Sequence, residues 1–164
     1  MIPNLYSKIR FIIDRFKSQE ISEIDEFTHL RGRDLAIDET YLLNKFETNL
    51  QLFISICQTY GISPVLMTQA SRFTSFPDTL FREIWTLDDD FGIKYSHYKA
   101  IFDEFNEAIK SVGDTNNVLV IDLAKTVPQE SSFIYDAIHF NDNGSKFVAE
   151  VITNELLASN LIRR

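Results

Sequence analysis

Cysteine is almost absent from this chain, Cys57 being the only one. A lone cysteine excludes an intrachain disulfide framework and a thiolate zinc site. Its position on the apolar stripe of a predicted helix reads as a buried, inert thiol. Long apolar runs are missing as well. Between Met1 and Phe16 the run Phe11-Ile12-Ile13 is bounded by Arg10 and Asp14. That is too short for the core of a signal peptide or for a membrane span, so the chain is expected in the cytoplasm. Positive charge is in deficit, with 16 Lys and Arg against 24 Asp and Glu and a net charge of −8. Nucleic acid and anionic membrane surfaces require basic patches, and neither is expected as a partner. An ordinary soluble protein carries the same balance.

What is present is apolar and aromatic. Hydrophobic residues make up 45% of the 164 positions, with 14 Phe and 6 Tyr. That composition fits one globular domain with a sizeable core. Leu5, Ile9, Ile12, Ile13 and Phe16 recur at helical spacing, which predicts a short amphipathic helix over residues 4–17. Residues 18–38 are polar and acidic without clean periodicity and read as a surface connection. A second helix is predicted from Glu39 to Tyr60 on the stripe Leu42, Leu43, Phe46, Leu50, Phe53, Ile54 and Cys57, with Asp38 as N-cap and Gly61 just past the end.

Pro64-Val65-Leu66-Met67-Thr68 then reads as a strand buried on both faces, the parallel kind. Residues 69–95 form an irregular segment carrying Phe73, Phe76, Phe81, Trp85, Phe91 and Tyr95, either a binding loop or a cover for the domain edge. A third helix is predicted from Ser96 as N-cap to Val112, ended by Gly113, and a second buried strand at Val118–Leu123. A last helix over Gly144–Leu157 buries Phe147, Val148, Val151, Ile152 and Leu156. Strand–helix–strand order of this kind pairs in parallel, so the fold class is α/β with neighbouring parallel strands near 64–68 and 118–123. Two strands are few for a parallel sheet, and the 64–68 strand would present a long apolar edge.

The chemistry is concentrated in Phe133-Ile134-Tyr135-Asp136-Ala137-Ile138-His139-Phe140-Asn141-Asp142-Asn143-Gly144, just before the last helix. An aspartate three residues before a histidine can accept its Nδ1 proton, fix the tautomer and leave Nε2 as a general base. No serine, threonine or cysteine sits where the matching nucleophile is needed. Gly113-Asp114-Thr115 follows a helix and precedes a strand, the reverse of a nucleophile elbow. Ser131 and Ser132 have no helix N-terminus beside them to supply donors, and Asn141–Gly144 reads as the turn and N-cap of the last helix.

Three stretches together resemble the SGNH hydrolases, also called GDSL-type esterases and lipases. They are Tyr41 to Gln69 (Y-x-x-N-x-x-x-x-x-L, then Y-G-I-S-P-V-L-M-T-Q), V-L-V-I-D-L at 118–123, and F-x-Y-D-A-I-H-F-N-D-N-G-S at 133–145. The resemblance covers about residues 40–157, with 1–40 left as a helical and connecting segment. It implies part of a three-layer α/β/α, flavodoxin-like fold. The family's serine lies in G-D-S, and its oxyanion hole uses a glycine and the asparagine of G-x-N-D; neither block is found in this sequence. The D-x-x-H block matches Asp136 and His139, which implies His139 as general base and later acid, and Asp136 as its orienter. Thr68 and Gln69, at the carboxyl end of a strand, either line the acyl or alcohol pocket or serve only locally, Thr68 satisfying nearby backbone and Gln69 facing solvent.

The expected function is thus an ester hydrolase fragment, inactive alone, with no metal or organic cofactor and a substrate the sequence does not identify. Its expected partners are an upstream fragment completing the fold, or further copies of itself. The alternative is a non-catalytic interaction module that has lost catalysis. A metal site built from Asp136 and His139 with His97 or His29 is a weaker third reading, because the other histidines lie in unrelated segments.

Overall fold

Asp38 opens the first helix described. Its side chain accepts from the Tyr41 N–H at 2.9 Å and caps helix α1, Glu39–Thr59, and Gly61 follows the helix with φ +69°. The computed structural model describes residues 32–34, 36–74 and 91–163. The expected helix at 4–17, most of the connection at 18–38, and Phe76, Phe81 and Trp85 of the aromatic segment lie outside them.

From α1 the chain enters strand β1, Val65–Met67, then helix α2, Tyr95–Thr115, and strand β2, Leu119–Ile121. A short helical turn α3, Leu123–Thr126, and helix α4, Asp142–Ala158, complete the order. The two strands pair in parallel, Val65 opposite Leu119, Leu66 opposite Val120 and Met67 opposite Ile121, as the strand–helix–strand order predicts. Each strand is shorter than its apolar run. At the far end of β2, Asp122 accepts from the Lys125 N–H and caps α3, which turns the chain out of the sheet at Leu123.

The alternation of side chains along the strands builds a helix–sheet–helix arrangement. Leu66, Val118 and Val120 pack with Ile54 of α1 and with Ile109 and Val112 of α2. Val65, Leu119 and Ile121 face the other way, toward Val148, Val151 and Ile152 of α4. The expectation that β1 is buried on both faces is corrected by Met67, which is 45% exposed beside the buried Leu66. The predicted stripe of α1 is also narrower than the sequence suggested: Ile54 and Cys57 are buried, whereas Leu42 and Phe53 are exposed.

Two boundaries of α2 differ from the prediction. It begins after Lys94, which makes no side-chain cap, and it runs past Gly113 to Thr115, followed by the C-cap Asn116, whose side chain donates to the Val112 carbonyl at 2.7 Å. Gly113 is there for close approach, since a Cβ would lie 2.1 Å from Cγ2 of Val120. The glycine lets α2 lie against β2, a requirement that sequence alone cannot separate from a helix stop. Among the described residues no helix is long and apolar enough to cross a membrane.

Candidate active site

The loop between α3 and α4 is closed on itself before it carries any chemistry. Ile134 and Phe140 form an antiparallel bridge, the Tyr135 N–H donates to the His139 carbonyl at 3.0 Å, and the Asn141 N–H donates to Phe133 O at 3.0 Å. Ile134 is fully buried in the α4-side core. Asn141 caps α4 by accepting from the Gly144 N–H at 2.9 Å and ties back to the loop by donating to Ser131 O at 2.9 Å. Gly144 is needed because a Cβ there would lie 2.0 Å from the Phe133 carbonyl oxygen.

Inside this closed loop Asp136 makes an Asx-type turn. One carboxylate oxygen accepts from the N–H groups of Ile138 at 2.9 Å and His139 at 2.8 Å. The other lies 2.7 Å from Nδ1 of His139. Partial burial pushes the Asp136 pKa up, but the hydrogen bonds from the His139 and Ile138 N–H groups and from the imidazole outweigh it, and the carboxyl is held below its ordinary value. An anionic acceptor at Nδ1 assigns the proton to that nitrogen and leaves a lone pair on Nε2. The His139 side chain is 65% exposed, and Nε2 meets no hydrogen-bond partner among the described residues. The Tyr135 ring stacks on the imidazole, centroids 5.8 Å apart and planes 21° apart. The arrangement can accept a proton at Nε2 and stabilise the resulting imidazolium.

The segment leaving β1 fixes where this pair sits. Arg72 is buried; its N–H donates to Ala137 O at 2.9 Å, and its guanidinium reaches the carbonyls of Ile134 and Tyr135. Phe73 packs edge-on against Phe102 and Tyr98 of α2, and Ala137 and Ile138 join the same cluster. The Asp136–His139 loop is therefore docked on the chain that emerges from the carboxyl end of the sheet. The sequence reading passed over Arg72, five residues past the end of β1, because its role depends on the loop that lies opposite in space.

Thr68 and Gln69 are placed differently from the pair. Thr68 is 1% exposed, and its hydroxyl donates to Asp122 at 2.8 Å while accepting from the Ala124 N–H at 2.9 Å. Its N–H donates to Ile121 O at 3.1 Å, so the residue joins the carboxyl ends of both strands. Gln69 is exposed, and its side chain donates to the Ala70 carbonyl at 3.1 Å. Its backbone is held by the buried Asn106, which accepts from the Gln69 N–H at 2.8 Å and donates to its carbonyl at 3.1 Å. Neither residue hydrogen-bonds Asp136 or His139 among the described residues. Asn106 is a second structural tie, to the chain leaving β1, that periodicity alone did not reveal.

The metal reading is not supported by this placement. His97 pairs with Glu39 at 2.5 Å, joining the first turns of α2 and α1, and His29 lies outside the described residues. Among the described residues no three His, Cys, Asp or Glu side chains converge. Nor, among the described residues, does a hydroxyl meet the imidazole: Ser132 bonds Glu130 at 3.2 Å, and Thr115 is the last residue of α2. An open cavity of about 530 Å³ lies between Ile62, Pro64, Asn117, Leu119 and Leu161, at the amino ends of the strands and away from Asp136 and His139. Comparison with models of known families, with curated proteins and with solved structures finds no match for this chain.

Proposed function

We propose that this chain is the C-terminal portion of an SGNH-type ester hydrolase, a partial three-layer flavodoxin-like domain in which His139 is the base and Asp136 its orienter. The observation that carries the reading is the 2.7 Å contact from Nδ1 of His139 to Asp136, with Nε2 left open. In the complete reaction a serine oxygen attacks the ester carbonyl as Nε2 takes its proton. The C–O bond to the alcohol then breaks as Nε2 returns that proton to the leaving oxygen, and water repeats the sequence on the acyl-enzyme. Acyl transfer by this route needs no metal or organic cofactor. The serine and the oxyanion donors are supplied by an upstream fragment carrying the G-D-S and G-x-N-D blocks, with an ester of unidentified acyl group as substrate and the cytoplasm as location.

Hydrolysis of a p-nitrophenyl ester tests this directly. The isolated chain should turn over no faster than its His139→Ala variant, because absent oxyanion donors alone remove about 3–4 kcal/mol of transition-state stabilisation. Mixing with the upstream fragment should restore activity that His139→Ala abolishes. Turnover by the isolated chain that depends on His139, or a mixture that binds without becoming active, would sink the proposal. A second reading, a non-catalytic interaction module, is favoured by β1, which pairs on one side only among the described residues. Self-association through that edge, with no gain of activity on adding the fragment, is its expected signature.

A further inference from the structure

An imidazole held at one nitrogen is only half positioned. The Asp136 carboxylate, 2.7 Å from Nδ1, fixes one point on the edge of the His139 ring. It leaves the ring free to rock about that point, because the χ2 torsion of a histidine is broad. Nε2 lies on the far edge and swings the most. The Tyr135 ring lies over the face of the imidazole, with centroids 5.8 Å apart and planes tilted by 21°. That is the offset stack that aromatic rings favour. A surface aromatic standing alone needs no explanation. Tyr135 is 61% exposed, yet its backbone is fixed on both sides. Its N–H donates to His139 O at 3.0 Å, and its carbonyl accepts from the buried Arg72 guanidinium at 3.4 Å. The residue before it, Ile134, is fully buried. The stack is therefore built from a clamped backbone, not from core packing.

We propose that Tyr135 is a positioning residue for His139, holding the imidazole by its face while Asp136 holds it by its edge. The chemical meaning of this role rests on the hydrolase reading; the stack itself does not. Edge and face together fix both side-chain torsions, so the Nε2 lone pair, which lies in the ring plane, keeps one direction. Acyl transfer demands that constancy. Nε2 has to take a proton from the serine oxygen and then return it to the leaving oxygen, each within hydrogen-bond reach, and a small misplacement costs a large factor in rate. The covered face is closed to other groups, so the serine and the leaving alcohol must approach in the plane of the ring. The phenolic hydroxyl takes no part, since the contact is ring on ring. Phenylalanine can therefore substitute in this role, and an aliphatic side chain cannot present a flat face.

The full chain, isotope-labelled in its histidine rings, tests this without any hydrolysis. Tyr135→Leu should lower the order of the His139 ring carbons in NMR relaxation and move the ring protons downfield as the neighbouring π face is lost. Tyr135→Phe should keep both native values. Nδ1 should hold its proton in all three chains, because Asp136 is untouched, and amide exchange at Ile138 and His139 should not change. A His139 ring as ordered in Tyr135→Leu as in the native chain would overturn the proposal. So would a ring as loose in Tyr135→Phe as in Tyr135→Leu, or faster amide exchange in Tyr135→Leu, which would make the tyrosine a prop for the loop. The mixture with the upstream fragment gives a second readout. There kcat should fall about tenfold or more in Tyr135→Leu with KM unchanged, and Tyr135→Phe should recover it. A raised KM at constant kcat would overturn the role by making Tyr135 a substrate contact. A mixture inactive even with Tyr135 in place sinks the hydrolase reading alone, and the ring measurements still decide whether the tyrosine holds His139.

Discussion

The guanidinium of Arg72 lies 3.3 Å from the carbonyl oxygen of Ile134, across 62 positions of sequence. A cation that is buried while donating to backbone carbonyls is a structural tie, and this one holds the loop that presents Asp136 and His139.

Replacing it with a residue of similar length removes the donors and keeps the stem. Arg72→Met is expected to destabilise the chain by about 1–3 kcal/mol in urea unfolding, chiefly through the buried Ile134 carbonyl left without this donor. The same variant should loosen the loop, read as faster amide exchange at Ile138 and His139. Unchanged exchange there would show that Phe73 and the Ile134–Phe140 bridge suffice to hold the loop.

Asp136 should leave an acid-limb signature. Its folded pKa lies below the ordinary value of 3.8, so the folded state favours the carboxylate. That contribution is fully present above the unfolded value and is lost as pH falls through the lowered folded one. The stability difference between the native chain and Asp136→Asn is therefore expected to be largest near neutral pH and to shrink below pH 3.8. Imidazole nitrogen shifts give the companion measurement. The native chain should hold the proton on Nδ1, and the variant should lose that preference. A pH-independent difference would remove Asp136 from the orienter role.

Thr68 makes a prediction about the sheet. Thr68→Val keeps the shape but strips a hydroxyl that donates to Asp122 and accepts from Ala124. The expected cost is about 1–3 kcal/mol, since the Ala124 N–H is left without its acceptor. Thermal melting checks it, and a loss below half a kcal/mol would mean water replaces the hydroxyl at that position.

The parts of this structure legible in the sequence were those written in local pattern. The strands follow from Val65–Met67 and Leu119–Ile121 as short apolar runs after helices, and their parallel pairing follows from the order of elements. Asp38 and Asn141 are N-caps because short polar side chains reach the free N–H groups of a first turn. The Asp136–His139 contact was legible because a three-residue spacing can fold into an Asx turn. Gly113, Met67, Arg72 and Asn106 were misjudged or missed for one physical reason. Each role depends on what lies opposite in space, Val120 for the glycine and the Gln69 backbone for the asparagine, and periodicity carries no information about that.

Asn106 also sets a limit on how the sheet can grow. Its amide occupies both the N–H and the carbonyl of Gln69, two residues beyond the end of β1. A strand arriving from another segment or another chain finds those two groups already taken. It can pair along Val65–Met67 and no further, so a helix side chain acts as an end-stop for strand addition at the carboxyl end, close to where the Asp136–His139 loop is docked.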